Sequence, residues 1–391
     1  MTKTVIVVTE RALVPPASGN DRRIIDLMRS LQQGGYSVVL LAPPIRGRIL
    51  GRLSAVHRTL QLRWSVDHLV PVEARKFSGG SPAAYDWSPF VPALTRAVEQ
   101  FDPVAVIAEY CWLAPVLDAV SNGALKTVDT HDLMHARLER FGLSAAWVEC
   151  SRDEERALLE HADTILAIQR DEQREFRAML PHKTVLCVPH ACRIPPDGHP
   201  PRPDLPDTVA FFGGANAGNV LGLQAFIEDA WPSVRRARPA ATLRVYGKVA
   251  DVLSASQADH GIELVGYVRR LDKAYREAKV TINPVQLGTG LKIKTVEALA
   301  QGTALVTTTC GASGCEQGAG DAFVMEDDMA RFADAVAVLL RDDTRRHALG
   351  RRARAFATDH FSPPVAVREL VRALQAHGHR QQEYPSGGRH S

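Results

Sequence analysis

Residues 5–9 form an apolar, β-branched run, and a loop carrying Pro15, Pro16 and Gly19 follows it. Ile24, Ile25, Leu27, Met28 and Leu31 then recur at helical spacing, and Gly34-Gly35 closes that helix. The next apolar strand spans 38–42, so the chain opens as a βαβ unit with parallel strands and a right-handed crossover. Further strands are predicted at 104–108, 127–128, 164–168 and 185–188, separated by stretches of helical periodicity. This half of the chain reads as an open α/β sheet.

Between His190 and Pro206 stand Pro195, Pro196, Gly198, Pro200, Pro201, Pro203 and Pro206, a density that stiffens the backbone and opposes regular structure. Beyond it the alternation resumes, with strands predicted at 209–212, 242–246, 262–265, 280–283 and 304–307 and helices at 221–227, 271–278 and 293–300. The predicted organisation is a first domain over 1–190, a Pro-rich linker over 191–206, a second domain over 207–360, a last helix over 361–376 and a disordered tail over 377–391.

A chain of 391 residues exceeds what one core usually organises, in keeping with two domains. Its 45% hydrophobic and 23% charged residues are those of a globular protein that folds in water. A net charge of +3 is too small a bias to point to nucleic acid as the main partner. The N-terminal apolar run is too short for a signal-peptide core, and no segment reaches the ~18 apolar residues of a spanning helix, so a cytoplasmic location is expected. Cys111, Cys150, Cys187, Cys192, Cys310 and Cys315 are scattered and expected to be free thiols. The 187/192 and 310/315 pairs are at the loose end of zinc spacing, so no metal site is expected.

The densest chemical signal runs from Pro284 to Gly302, which joins a strand end, a glycine turn, two lysines and an acid on a helix. Gly288 and Gly290 allow close backbone approach just before a helix start, whose N–H groups attract anions. Lys292 and Lys294 are unfavourable for the helix dipole unless an anion binds there, and Glu297 is placed to accept both hydroxyls of a ribose. The bland alternative is an ordinary strand-turn-helix with solvated lysines.

The stretch Gly288-Thr-Gly-Leu-Lys-Ile-Lys-Thr-Val-Glu-Ala-Leu-Ala-Gln-Gly302 resembles the signature of the family 4 glycosyltransferases of GT-B fold. Supporting matches are Phe211-Phe-Gly-Gly214 with Asn219, Val245-Tyr-Gly247, Gly266-Tyr-Val268 and Val128-Asp-Thr-His-Asp132. The resemblance implies two facing Rossmann-like, doubly wound α/β domains with an active site in the cleft between them, and a last helix, with Val365, Leu370, Val371 and Leu374, packed back on the first. It implies that Glu297 binds the nucleotide ribose, that Gly288, Thr289 and Gly290 cradle the diphosphate, and that Tyr267 and Val268 border the base. Gly213, Gly214, Lys248 and Leu291 complete the expected donor site. The donor substrate is expected to be a UDP- or GDP-sugar, with no further cofactor, no metal and retention of anomeric configuration. The acceptor is expected to be a glycan or a lipid-linked, protein or small-molecule acceptor.

Two departures from the family pattern stand out. Thr289 occupies the place of the first acid of the usual Glu-x7-Glu pair, and no basic residue occurs between Gly213 and Gly222. Lys292 and Lys294 are expected to supply the missing charge.

In the first half, His131 follows a strand end, where α/β sheets place their ligand crevice. It is expected to hydrogen-bond a sugar hydroxyl or stabilise charge at the anomeric centre, with Asp129 or Asp132 fixing its tautomer and Asp132 counted as catalytic. The alternative is a loop histidine held by its aspartates. The first βα loop offers Gly19, Asn20, Arg22 and Arg23 to the acceptor or to donor phosphates. From Pro43 to Val66 five arginines occur without an acid, which reads either as a surface for anionic lipid, at the inner face of the membrane, or as a solvated basic face. Rival readings of the whole chain are a nucleotide-sugar epimerase and a catalytically degenerate homologue that acts as a binding partner. A dehydrogenase is disfavoured because no G-x-G-x-x-G follows the first strand.

Overall fold

The structure is a computed structural model and describes residues 2–13, 18–44, 66–141, 148–195, 206–253 and 260–383. The basic stretch proposed as a lipid surface lies, from 45 to 65, outside the described residues, as do linker residues 196–205. The chain forms two compact units, one of Met1–Ala191 with Pro363–Ser391 and one of Cys192–Ser362.

The first unit holds a seven-stranded parallel sheet of β1 (Thr4–Val8), β2 (Ser37–Ala42), β3 (His68–Pro71), β4 (Ala105–Glu109), β5 (Leu125–Asp129), β6 (Thr164–Ala167) and β7 (Thr184–Cys187), in the order β3-β2-β1-β4-β5-β6-β7. Its central strands are buried on both faces, which is why they read as unbroken apolar runs rather than alternating ones. Val5 and Val7 join the core cluster of one face, with Ile24 and Met28 of the helix Gly19–Gln33, while Ile6 and Val8 join the other with Trp112 and Phe90. Ser18 caps the helix Gly19–Gln33 in a reciprocal box with Asp21.

The second unit holds β8 (Thr208–Phe212), β9 (Thr242–Tyr246), β10 (Ile262–Gly266), β11 (Val280–Asn283), β12 (Ala304–Thr307) and β13 (Val324–Met325), all parallel, in the order β10-β9-β8-β11-β12-β13. Each sheet therefore has one topological switch point, between β1 and β4 in the first and between β8 and β11 in the second. There the loops leaving neighbouring carboxyl ends diverge and open a crevice.

Several elements depart from the sequence expectation. The helix Ala217–Ala225 continues through a wide turn, Phe226–Ala230, into Trp231–Ala237. Pro232 has no N–H to give the preceding turn, and the wider spacing accommodates it. The last helix runs Arg368–Glu383, past the predicted start of a disordered tail at 377. Val367, Leu370 and Leu374 bury in the same cluster of the first unit as Val5 and Ile24. Glu369 Oε2 accepts the Cys187 N–H at 2.8 Å, and His377 Nε2 meets the Gly123 carbonyl at 2.8 Å.

Candidate active site

At the switch point of the second unit, the loop after β8 leads into the helix Ala217–Ala225, whose start Asn216 caps by accepting the Asn219 N–H at 3.0 Å. A side chain at Gly218 would place its Cβ 2.4 Å from the Leu287 carbonyl oxygen, and one at Gly222 would lie 2.7 Å from that of Pro284. The helix therefore seats directly on the backbone of the loop that follows β11. That loop turns at Gly290, whose φ of 67° falls in the left-handed region, and delivers the chain to the helix Ile293–Gln301.

A buried polar network fixes this helix start. Asn283 Nδ2 donates to Thr295 Oγ1 at 2.9 Å, Thr295 Oγ1 donates to the Gly311 carbonyl at 2.7 Å, and the Gly311 N–H returns to Thr308 Oγ1 at 2.9 Å. The ends of β11 and β12 are thus tied to the first turn of the helix, where Thr295 N–H donates to the Lys292 carbonyl at 2.8 Å and the N–H groups of Ile293 and Lys294 precede that first bond.

The two lysines do different things. Lys292 Nζ donates to the carbonyls of Thr289 and Gly290 at 2.9 and 2.7 Å, so it braces the glycine turn. Lys294 Nζ donates to Asn219 Oδ1 at 2.5 Å and lies 4.3 Å from the centroid of the Phe211 ring. Asn219 in turn donates to the Gly214 carbonyl at 2.9 Å. Desolvation, helped by the charge of Lys292 and opposed by Glu297, lowers the Lys294 ammonium to about 7. An ammonium held so low gains most from a bound anion.

Glu297, half-buried one turn along the helix, accepts the Tyr275 Oη–H at 3.2 Å. Thr289 is half-buried and Leu291 buried in the turn, Gly213 is half-buried and Gly214 exposed after β8, and Lys248 is exposed after β9. Tyr267 is 56% exposed just past β10, with half-buried Val268 beside it, leaving an aromatic face uncovered.

In the first unit, His131 is 6% exposed and its Nε2 lies 2.6 Å from Glu109 Oε2. Glu109 ends β4 and pairs in register with Asp129, which ends β5. The ring of Tyr110 stacks on His131 at 4.0 Å and on Trp112 at 4.3 Å. Tyr110, at φ 74° and ψ 152°, and His131, at φ 61°, both hold backbone conformations rare for non-glycine residues. Such strain costs on the order of 1–3 kcal/mol per residue and concentrates at functional sites. His131 Nδ1 and Glu109 Oε1 are buried without a hydrogen-bond partner.

Burial lowers His131 to about 3, with Asp129 opposing and Arg23 reinforcing the shift. Burial and the negative charge of Asp129 raise Glu109 well above the carboxylate range. Both directions favour a neutral imidazole beside a neutral carboxyl, with His131 Nδ1 left unbonded inside the protein.

These contacts correct three expectations. Glu109, and not Asp129 or Asp132, holds the His131 ring; Asp129 Oδ2 is 3.8 Å away. Asp132 receives Arg137 Nη1 at 2.6 Å and the Leu133 N–H at 3.0 Å, so its bonds organise the start of the helix Met134–Phe141. Arg23, expected to reach a ligand, is 2% exposed and clasps Asp129, with Nη2 2.6 Å from Oδ1 and Nε 2.9 Å from Oδ2, while Nη2 also donates to the Val188 carbonyl at 2.9 Å. Asn20 Nδ2 donates to Tyr110 Oη at 2.5 Å, bridging the loops after β1 and β4. Gly19 begins the capped helix beside it, and Arg22 is half-buried on that helix.

Gly218, Gly222 and Glu109 escaped sequence reading. The two glycines, four apart, strip one helix face of side chains, a signal available in the sequence. Glu109 is an acid closing an otherwise apolar strand, which is weaker. Among the described residues, Glu109, Asp129 and His131 form the one His/Asp/Glu/Cys trio close enough to share an ion, with ligand atoms within 4.8 Å of one another. The Arg23 guanidinium already supplies the positive charge that Asp129 needs. All six cysteines are free.

Residues 206–342 match the family model of Glycosyl transferases group 1. No curated protein matches the chain by sequence. Among solved structures, the chain is similar to sucrose-phosphate synthase from Thermosynechococcus elongatus, at 16% identity and a TM-score of 0.68, over 96% of this chain and 99% of that one. It is also similar to TarM of S. aureus, at 10% identity and a TM-score of 0.72, over 96% and 99% of the two chains. HepE of Anabaena, in complex with UDP and glucose, is similar at 11% identity and a TM-score of 0.68, over 96% and 100%. At these identities the likeness is one of fold. Residues 206–342 of the second unit thus match the Glycosyl transferases group 1 model, and the chain's two parallel α/β sheets share the fold of these solved structures.

Proposed function

We propose that this chain moves a sugar from a nucleotide diphosphate sugar, held by the second unit, to a hydroxyl of an acceptor held by the first. The transfer proceeds with retention of anomeric configuration and needs no metal. The observation that carries this reading is the junction of Gly290, the start of the helix Ile293–Gln301 and the desolvated Lys294 ammonium, with Glu297 one turn along. The diphosphate lies on the free N–H groups of that helix start, where the helix dipole and Lys294 offset its charge. Glu297 accepts the ribose hydroxyls, and Tyr267 covers the base. As the bond to the sugar breaks, negative charge grows on the departing diphosphate, and these donors stabilise it without reorganising. His131 Nδ1 hydrogen-bonds a sugar hydroxyl at the switch point of the first sheet. A neutral imidazole orients that sugar and supplies no full charge at the anomeric centre.

Solved structures of HepE hold UDP and UDP-glucose, and one of pneumococcal GtfA holds UDP and GlcNAc, which favours a uridine nucleotide as the first donor to test. In titration calorimetry, UDP is expected to bind the wild type, and Glu297→Ala to weaken it by about 1–3 kcal/mol, the worth of hydrogen bonds to a charged group. Equal affinity in the two proteins rejects the ribose assignment. Incubation with UDP-glucose and no acceptor is expected to yield no isomerised nucleotide sugar, and its appearance would favour an epimerase.

The Lys294 shift gives a pH dependence. Its ammonium is half deprotonated near pH 7 in the free protein, and a bound diphosphate raises it, so above pH 7 binding takes up a proton. UDP affinity is expected to fall as pH rises above 7, by up to about tenfold per pH unit until the raised value is reached. Lys294→Met is expected to bind weakly with a flat profile. A wild-type affinity that stays level from pH 7 to 9, on the order of the two units that matter, contradicts contact between Lys294 and the anion.

A further inference from the structure

The switch point of the first sheet holds a carboxyl group that neither the fold nor the proposed donor chemistry uses. Glu10 follows β1 by two residues and is 1% exposed, and neither of its carboxylate oxygens has a hydrogen-bond partner. The turn that carries it is fixed: the Thr9 N–H donates to the Leu41 carbonyl at 2.9 Å, and the Arg11 N–H donates to Thr9 Oγ1 at 3.2 Å. The charged and titratable groups that sense Glu10 are Arg11 and Asp21 from its own loop and the helix start, Lys76 and Tyr85 from the segment after β3, and Glu109 and Tyr110 from the end of β4. The Arg11 side chain is engaged elsewhere, on Asp21 at 2.5 Å and Ser18 at 2.9 Å.

A buried carboxyl that takes no hydrogen bond from another residue costs stability that the fold does not recover. Its position, between the strands whose connections diverge, is where parallel sheets take their ligands. Arg11 and Lys76 nearby disfavour a cationic ligand. A neutral polyhydroxylated one matches a carboxyl whose two oxygens, ionised or protonated, can each hydrogen-bond one of two adjacent hydroxyls, since a hydroxyl both donates and accepts. We propose that Glu10 is the hydroxyl-binding group of an acceptor subsite in the first unit, which takes a sugar or polyol through two neighbouring hydroxyls. The word acceptor rests on the transferase reading above; the binding of hydroxyls does not.

The test uses the full chain labelled with carboxyl-13C glutamate, the Glu10 resonance being assigned by its loss in Glu10→Gln. Methyl α-D-glucopyranoside, the probe, is titrated to high millimolar concentration, with tetrahydropyran as the ring without hydroxyls. A saturable shift of the Glu10 signal with the glucoside alone is expected. A signal that does not move, or moves equally with both, overturns the proposal.

Melting supplies a second readout. Burial raises Glu10 to about 7, so the folded chain loses stability as pH rises from the ordinary carboxyl range through 7, and uncharged replacements escape that loss. Glu10→Gln and Glu10→Met are expected to melt a few degrees above the wild type at pH 8, with a smaller difference at pH 5. Melting below the wild type at both values means that Glu10 serves the fold, and the proposal fails. UDP affinity measured on the same samples separates the two readings. A chain that binds UDP but shows no glucoside response sinks this inference alone, whereas one that responds at Glu10 without binding UDP sinks the transferase reading alone.

Discussion

His131→Ala is expected to slow sugar transfer by about a hundredfold to a thousandfold, the range for removing one preorganised hydrogen-bonding group from a reacting centre. UDP affinity should stay at the wild-type level, because the residues proposed to hold the nucleotide belong to the second sheet. The expectation follows from how the ring is held. Tyr110 stacks on it at 4.0 Å, Glu109 bonds Nε2 at 2.6 Å, and Nδ1 is left without a protein partner. Glu109 is the positioning residue in this pair. Glu109→Gln keeps a hydrogen-bonding group of the same shape against Nε2, so it should retain most of the activity, whereas Glu109→Ala should approach the loss seen for His131→Ala. With His131 lowered to about 3, its own protonation should leave no inflection in turnover between about pH 5 and 9. Wild-type turnover in His131→Ala removes the residue from the mechanism. An inflection near pH 6.5 that disappears with it, the ordinary histidine value being about there, contradicts the neutral pair.

The largest effect on stability is expected from Arg23→Met. The guanidinium and Asp129 are respectively 2% and 0% exposed, so removing the cation leaves a carboxylate with neither water nor a counter-charge, next to buried Glu109. Breaking one side of such a pair costs about 3–5 kcal/mol. For a unit of this size that lowers the melting temperature of its transition by roughly 6–20 °C, at about 2–4 °C per kcal/mol. The Val188 carbonyl also loses its donor. Because the deficit is an unpaired Asp129, Arg23→Met/Asp129→Leu should recover much of the loss, and a double variant no more stable than the single one contradicts the pairing account. Differential scanning calorimetry of the three proteins decides the matter.

What could be read from the sequence, and what could not, follows the distance over which each feature is assembled. The strands were legible because a parallel sheet covered on both faces needs β-branched apolar runs, as in Val5-Ile-Val-Val8, and nothing at long range is required to see them. β3 escaped because His68-Leu-Val-Pro is a short edge strand, exposed or half-buried along its length. The candidate donor site was legible because its glycines, lysines and Glu297 fall within ten consecutive residues, 288–297. Even there, the bracing of its own turn by Lys292 was hidden, because the reach of a lysine side chain back to the carbonyls before it leaves no mark in the spacing. The first unit resisted for a different reason. Glu109 and His131 come from successive strands, and Arg23 and Asp129 lie 106 residues apart, so no local pattern joins them. Arg23 near a helix start resembles an anion-binding arginine, yet it stands on the buried face with Ile24 and Leu27, and the partner that makes its burial tolerable is set by the sheet order.

A crystal structure of the chain with UDP is the most direct measurement. The β-phosphate is expected against the backbone N–H groups that begin the helix Ile293–Gln301, within hydrogen-bond distance of Lys294 Nζ, with both ribose hydroxyls on Glu297. Density for the nucleotide away from the Gly288–Gly290 turn, or a ribose that makes no contact with Glu297, contradicts the proposed donor site.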